Sequence, residues 1–222
     1  VVLIGPSEPA EKRHHPGVFA SHYDEGRITR ALDPVPFWSR VSQASIRRYG
    51  EIEAESGISF FSEVGALIAG DVSTAPMRAV EAERTGSAVV CDVLDDAALA
   101  ERFPYFDFPA GTVGYHEARG AGYISPRRLV AAQTAAAKRA GARVVEAVAT
   151  GVSETGAGVR VETDRGPVEA ERVLVAAGGF TNMVLPEPLP ITVYARTVAL
   201  FEIDEAEAAR LSGQPSMIYP GP

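Results

Sequence analysis

Cysteine is all but absent from this chain of 222 residues, where Cys91 stands alone. A single thiol excludes an internal disulfide and any multi-cysteine zinc site, and it fits a reducing compartment, the cytoplasm. Cys91 reads as a small buried hydrophobe more than as a nucleophile. Long apolar runs are missing too. None approaches the roughly 20 residues that span a bilayer, so no membrane partner is expected, and no secretory signal is visible at the N-terminus. No G-x-G-x-x-G loop occurs anywhere, which counts against an NAD(P)-dependent dehydrogenase because the pyrophosphate lacks its usual helix N-terminus. Positive charge is in deficit. With 29 acidic against 21 basic residues and a net charge of −8, no nucleic-acid partner is expected. Neither internal repeats nor low-complexity segments interrupt the chain.

What is present is a globular composition, 46% hydrophobic, in a length that suits one large domain or two small ones. Its chemistry is concentrated in Ala20-Ser21-His22-Tyr23-Asp24-Glu25-Gly26-Arg27-Ile28-Thr29-Arg30. Hydroxyl, imidazole, phenol and two fixed cations lie close together there, soon after an apolar run. Such a set suits an anionic small molecule, since arginine can grip a carboxylate or phosphate bidentately. The plainer reading is a solvated basic loop paired with Asp24 and Glu25. Of the remaining histidines, His14 and His15 read as exposed loop residues with no metal-ligand pattern, and His116 as structural.

The elements follow from local punctuation. Residues 1–4 read as a buried parallel strand and 7–17 as a loop. Residues 37–56 form a helix with Trp38, Val41, Ser45, Tyr49 and Ile52 on one face, stopped by Gly57. Two short strand-like pieces over 58–69 surround Gly65 as a hairpin or a bent strand. Helices are expected over 74–84 and 95–102, then an aromatic cluster of Phe103, Tyr105, Phe106 and Phe108 that reads as core. Ser125 as N-cap, Pro126, Lys138, Arg139 and Gly141 mark the clearest helix. A strand over 143–148 and a hairpin through Asp164-Arg165-Gly166 come next. Residues 173–177 read as a second buried strand ending in Gly178-Gly179, where bare backbone can approach a ligand closely or simply turn. A strand-like stretch over 192–203, an acidic helix over 204–211 and a final extended segment over 215–222 complete the chain.

These parts make an incomplete mononucleotide-binding fold, and the sequence resembles the FAD-dependent oxidoreductases of the D-amino-acid oxidase superfamily, in the branch of monomeric sarcosine oxidase. The resemblance runs from Val1-Val2-Leu3-Ile4 to Ile218-Tyr219. It is carried most specifically by Ser21-His22 with Arg27-Ile28-Thr29-Arg30, and further by Gly122-Tyr123-Ile124, Gly141-Ala142-Arg143-Val144 and Val175-Ala176-Ala177-Gly178-Gly179-Phe180-Thr181-Asn182. It implies an α/β fold (α+β overall), with an incomplete Rossmann-like FAD lobe over 1–56 and 118–186. An antiparallel-sheet substrate lobe over 57–117 and 187–222 is interleaved with it.

The resemblance also implies roles. Ser21, His22 and Tyr23 would lie beside the flavin, Val148 would meet the adenine end through its backbone, and Ala177, Gly178 and Gly179 would pass close to the cofactor. His22, Arg27 and Arg30 would be catalytic, with Arg27 near the isoalloxazine and Arg30 on the substrate carboxylate. The implied reaction oxidises a C–N bond of a small carboxylate-bearing amine to an imine, with oxygen or another acceptor taking the electrons.

Three features depart from the family pattern. The glycine-rich loop is absent, Gly5 stands where an acidic residue holds the ribose (Glu8 is the nearest substitute), and Tyr23 replaces a second histidine. Beginning at Val1, without a methionine, the chain is expected to be a fragment. The lysine that promotes the oxygen reaction, a second carboxylate-binding cation and the cysteine for flavin attachment would lie beyond it, so these residues alone are expected to be inactive. The alternative is a non-catalytic binding or scaffold protein on a degenerate flavoprotein fold.

Overall fold

The computed structural model describes residues 1–194 and 198–220. In chain order its elements are β1 (Val2–Gly5), β2 (Arg27–Thr29), α1 (Pro36–Ser56), β3 (Phe61–Ser62), β4 (Ala66–Asp71), α2 (Ala75–Gly86), β5 (Asp92–Leu94), α3 (Asp96–Arg102), β6 (Thr112–Glu117), β7 (Gly122–Ile124), α4 (Pro126–Arg139), β8 (Arg143–Glu146), β9 (Ala149–Thr155), β10 (Gly158–Thr163), β11 (Val168–Ala170), a 3-10 helix (Gly178–Met183), α5 (Glu205–Arg210) and β12 (Ser216–Ile218). Packing divides the chain into two compact units, Val1–Tyr23 with Ala137–Leu200, and Asp24–Ala136 with Phe201–Pro222.

In the first unit β1 and β8 pair in parallel, Val2 opposite Arg143 through Gly5 opposite Glu146, and the Ala147 N–H extends the ladder to the Gly5 carbonyl at 3.2 Å. The parallel strand expected at residues 1–4 is there, but Val2 and Leu3 are partly exposed rather than buried. Among the described residues β8 is its one ladder partner. Beside it β9, β10 and β11 form an antiparallel meander whose last turn places Gly166 at φ +103°. Residues 173–177 do not form the expected second strand: among the described residues no ladder holds them, and Leu174 is 90% exposed. Their β-branched character supplies propensity, whereas a strand needs a partner. Of the strand expected over 192–203, residues 195–197 lie outside the described residues and the rest carry no ladder; residues 221–222 of the final segment also lie outside them.

The second unit holds two sheets. The larger has the order β12-β4-β6-β5, antiparallel at β4–β6 and β6–β5, with β12 parallel at its edge. Strand alternation sorts its two faces. Leu67 and Ala69 pack with Leu94, and with Leu99 and Phe103 at α3, while Ile68 and Tyr115 pack with Leu32, and with Met77 and Val80 of α2. Helices therefore cover both faces. Tyr105 and Phe106 pack against Phe103, and Phe108 against Phe106, as the expected aromatic cluster. Each fully buried aliphatic side chain of this kind stabilises the fold by about 1.5–3 kcal/mol.

The smaller sheet, β2-β7-β3, is antiparallel and packs on α1 and α4 through Tyr49, Phe60 and Ala132. The pieces over 58–69 are thus not a hairpin, since β3 and β4 join different sheets across Gly65 at φ +81°. Helix punctuation matches expectation. Gly57 stops α1 at φ +71°, the Asp95 carboxylate accepts from the Ala98 N–H at 2.9 Å, and Ser125 Oγ accepts from the Arg128 N–H at 3.3 Å. The buried face of α1 is rotated from the expected one. Tyr49 is buried and Ile52 packs beside it as expected, but Trp38, at 55% exposed, Val41 and Ser45 face outward, and Ser39, Ile46 and Glu53 turn inward in their place. Glu53 Oε1 accepts the Phe60 and Phe61 N–H groups at 2.7 and 2.9 Å, a hold that apolar periodicity does not reveal.

Gly122 of β7 is set at φ +151°, and a Cβ there would stand 2.8 Å from the Val64 nitrogen and closer still to the Ser62 carbonyl oxygen. Gly122→Ala is expected to destabilise by about 2–4 kcal/mol in urea unfolding, because backbone on both sides must shift. Gly57→Ala, at φ +71° with open space around it, should cost only about 1 kcal/mol.

Candidate functional site

The chemistry-bearing stretch is shared between the two units, with Ser21, His22 and Tyr23 in the first and Arg27 and Arg30 in the second. In the first unit the Tyr23 hydroxyl donates to the Pro6 carbonyl at 3.0 Å, just past the carboxyl end of β1. Its ring meets Phe19 edge-on at 5.2 Å and His22 at 4.6 Å. Burial, and then the Glu8 carboxylate, push the Tyr23 phenol up, so it stays protonated as a donor. Ser21 is exposed and His22 half-buried. Glu8, named above as the nearest substitute for the ribose acid, is paired with Lys12 at 2.6 Å.

Val148 follows the carboxyl end of β8, the parallel partner of β1. Its N–H donates to Asp164 Oδ1 at 2.9 Å and its carbonyl accepts from the Asp164 N–H at 3.1 Å. Gly178 takes φ +55° at the start of the 3-10 helix, with nothing within 4 Å of where a Cβ would lie. Residues 173–177, which lead into it, line an apolar cavity of about 890 Å³ together with Val1, Val2, Leu3 and Ile4. Two of the positions expected to meet a cofactor are therefore tied to the carboxyl end of one parallel pair, Val148 by following β8 and Tyr23 by its bond to Pro6. That is where open α/β sheets take their ligands, and the glycines add backbone with no side chain in the way.

In the second unit Arg27 belongs to β2, opposite Ile124 of β7. Its exposed guanidinium pairs with Asp24 Oδ2 at 2.8 Å, a surface contact worth up to about 1 kcal/mol. The loop before it is tied to the start of α4, where Glu25 pairs with Arg127 and accepts from Ser125 Oγ at 3.3 Å. Arg30 is more enclosed, its side chain 19% exposed. Nη2 donates to Asp33 Oδ2 at 2.8 Å, and Nε is buried with no hydrogen-bond partner.

Sequence reasoning missed two carboxylates that matter here. Asp33 holds the guanidinium and also accepts the Val35 N–H at 2.9 Å. Glu117, at the end of β6 and 3% exposed, accepts the Ala31 and Leu32 N–H groups at 2.9 and 2.8 Å. Burial pushes the Glu117 carboxyl up, while these two bonds and the Arg30 charge oppose that. Glu117 and Ala31 border a cavity of about 310 Å³ that Cys91 also lines. Burial raises the Cys91 thiol, so it is a poor nucleophile near neutrality. His14 and His15 are exposed, and among the described residues no cluster of His, Cys, Asp and Glu could hold a metal ion. No helix among them is long and apolar enough to cross a membrane.

A family model described as FAD dependent oxidoreductase matches residues 1–220. Human peroxisomal sarcosine oxidase is 25% identical over 185 residues, which is 81% of this chain and 46% of that protein. N-methyl-L-tryptophan oxidase of Salmonella arizonae is 26% identical over 157 residues, 70% of this chain and 42% of that protein. Among solved structures, NikD, an unusual amino acid oxidase, matches with a TM-score of 0.63 at 23% identity, covering 82% of this chain and 46% of that one. The chain spans about half the length of the curated relatives it matches.

His116 offers a direct check of the second unit. It is 6% exposed, its ring lies 5.1 Å from Phe103, and its buried Nδ1 has no partner. Burial, and then Arg102, lower its pKa below the ordinary 6.5, with Asp92 opposing. The fold thus prefers neutral imidazole. Its contribution is complete above pH 6.5 and is lost as pH falls from there towards the folded value, by at most about 1.4 kcal/mol per pH unit. Urea unfolding at pH 7.5 and 5.5 should show this loss, and His116→Asn should reduce the difference between the two pH values.

Proposed function

This chain belongs to the FAD dependent oxidoreductase family, and on that premise we propose that it forms part of an enzyme oxidising the C–N bond of a small carboxylate-bearing amine to an imine. The observation that carries the proposal is Arg30. Its guanidinium is mostly withdrawn from water, braced by Asp33, and keeps a buried Nε with no protein acceptor. A dry, oriented arginine is the group that fixes a carboxylate, and a fixed carboxylate aims the carbon beside the nitrogen.

FAD, when bound, supplies the acceptor for the hydride that leaves that carbon. In this reading Ser21, His22 and Tyr23 hold the flavin side, Arg27 places positive charge near the ring, Val148 serves the adenine end, and Ala177, Gly178 and Gly179 give close backbone approach. The residues present fit such a group. Protonated Tyr23 and the Val148 segment stand at the carboxyl end of the β1–β8 pair, and Gly178 leaves its Cβ space open. With its N–H on Asp164, Val148 has the second lone pair of its carbonyl to offer. Oxygen or another acceptor takes the electrons, and the lone cysteine supports a cytoplasmic setting. The FAD lobe is assigned to 1–56 and 118–186 and the substrate lobe to 57–117 and 187–222, a division by ligand rather than by packing.

One observation favours the second reading, a binding or scaffold protein on a degenerate fold: the Val148 N–H is already committed to Asp164. Arg30→Ala separates the two. In the complete, FAD-loaded enzyme of which this chain forms part, it is expected to retain the flavin absorbance while kcat/KM for an N-methyl amino acid falls about 100-fold, about 2.7 kcal/mol of lost transition-state binding. Unchanged turnover would overturn the assignment, and an unmodified protein that binds no flavin would favour the scaffold.

A further inference from the structure

We propose that Glu117 is a positioning residue that presets the Arg30 guanidinium for the substrate carboxylate; this rests on the reading of Arg30 given above. Glu117 ends β6, opposite Ala66 of β4, so its backbone is fixed by the larger sheet. Its two carboxylate oxygens accept from two successive amides, Ala31 through Oε2 and Leu32 through Oε1. The Ala31 N–H lies in the same rigid peptide plane as the Arg30 carbonyl. Fixing that N–H fixes the plane attached to the Arg30 Cα, and hence the direction in which the side chain leaves the backbone.

The preceding side of Arg30 is fixed as well. Thr29 pairs with Gly122 in the smaller sheet, and its Oγ1 lies 2.9 Å from the buried Tyr49 hydroxyl. Beyond the clamp Leu32 is fully buried in the core formed with Ile68, Met77, Val80 and Tyr115. Arg30 is therefore a hinge with both leaves pinned, one by each sheet, and Asp33 steadies the guanidinium. An apolar residue at 117 would leave two amides without acceptors, and glutamine would turn its NH2 towards one of the two donors. With each donor on its own oxygen, only a carboxylate accepts both in this geometry.

The test is a double-mutant cycle of Arg30→Ala and Glu117→Gln in the complete, FAD-loaded enzyme of which this chain forms part, read by calorimetric binding of propionate, by amide hydrogen exchange at Ala31 and Leu32, and by kcat and KM for an N-methyl amino acid. Expected for Glu117→Gln are faster exchange at both amides, propionate binding about tenfold weaker, and KM raised by a similar factor with kcat changed far less. In the Arg30→Ala background the same substitution should alter propionate binding less than about twofold. If Arg30→Ala weakens propionate binding and Glu117→Gln does not, or weakens it equally in both backgrounds, the positioning role is wrong and the reading of Arg30 stands. If Arg30→Ala leaves propionate binding unchanged, the reading of Arg30 fails and the inference with it. Should Glu117→Gln not fold, Glu117→Asp, which keeps the charge and shortens the reach, is read by the same cycle.

Discussion

A carboxylate carried into a protein interior must either take a proton or collect enough hydrogen bonds to remain an anion, because several kcal/mol of hydration are lost. Burial pushes the Glu117 carboxyl up while two amide bonds oppose it, and the arrangement around Arg30 rests on those two bonds. Two amides more than eighty residues away in sequence converge on its oxygens, joining the strand that anchors the larger sheet to the loop that leaves the smaller one. Glu53 plays a related part by holding the Phe60 and Phe61 amides against α1. In both places a charged side chain does what a ladder would otherwise do, at points where the chain passes from one element to another and no strand partner is at hand.

That dependence explains which features were legible in sequence. Helix limits are written locally, so Gly57, Asp95, Ser125 and Gly141 could be read within a few residues of where they act. The functional stretch at 20–30 was legible for a similar reason, as its hydroxyl, imidazole and cations are adjacent. Strand partners are not local. Residues 173–177 carry the composition of a buried strand without a ladder, and the pieces on either side of Gly65 go to different sheets. Glu117 was illegible altogether. No strand was expected over residues 112–117, and only the fold places Glu117 at the buried end of β6.

The first unit poses the complementary question of where a cofactor could enter. A parallel pair directs its carboxyl ends, and the loops that follow them, to one edge. Pro6 and Val148 leave β1 and β8 at that edge, and Tyr23 returns to it through a hydroxyl that burial keeps protonated. The same loops would suit a neutral hydrogen-bonding ligand of some size, because the charges near them, Glu8 and Asp164, are already paired with Lys12 and with backbone. Affinity for a strongly charged group must then come from elsewhere, consistent with the lack of a glycine-rich phosphate loop in these residues.

The competing scaffold reading has to account for the cost of the Arg30 environment. A buried guanidinium nitrogen without an acceptor is destabilising by about 1–3 kcal/mol, and the buried Glu117 carboxylate adds a desolvation penalty that two amide bonds only offset. A protein that used this fold merely for shape would be more stable with an apolar group in place of Arg30, whereas the Ala31 and Leu32 amides need the Glu117 acceptor in either reading. An unsatisfied donor beside a bound anion is a different case. Under the proposed reading, a substrate carboxylate would complete the hydrogen bonding of Arg30 Nε, and the cost of that buried donor would return as binding energy specific to carboxylate ligands.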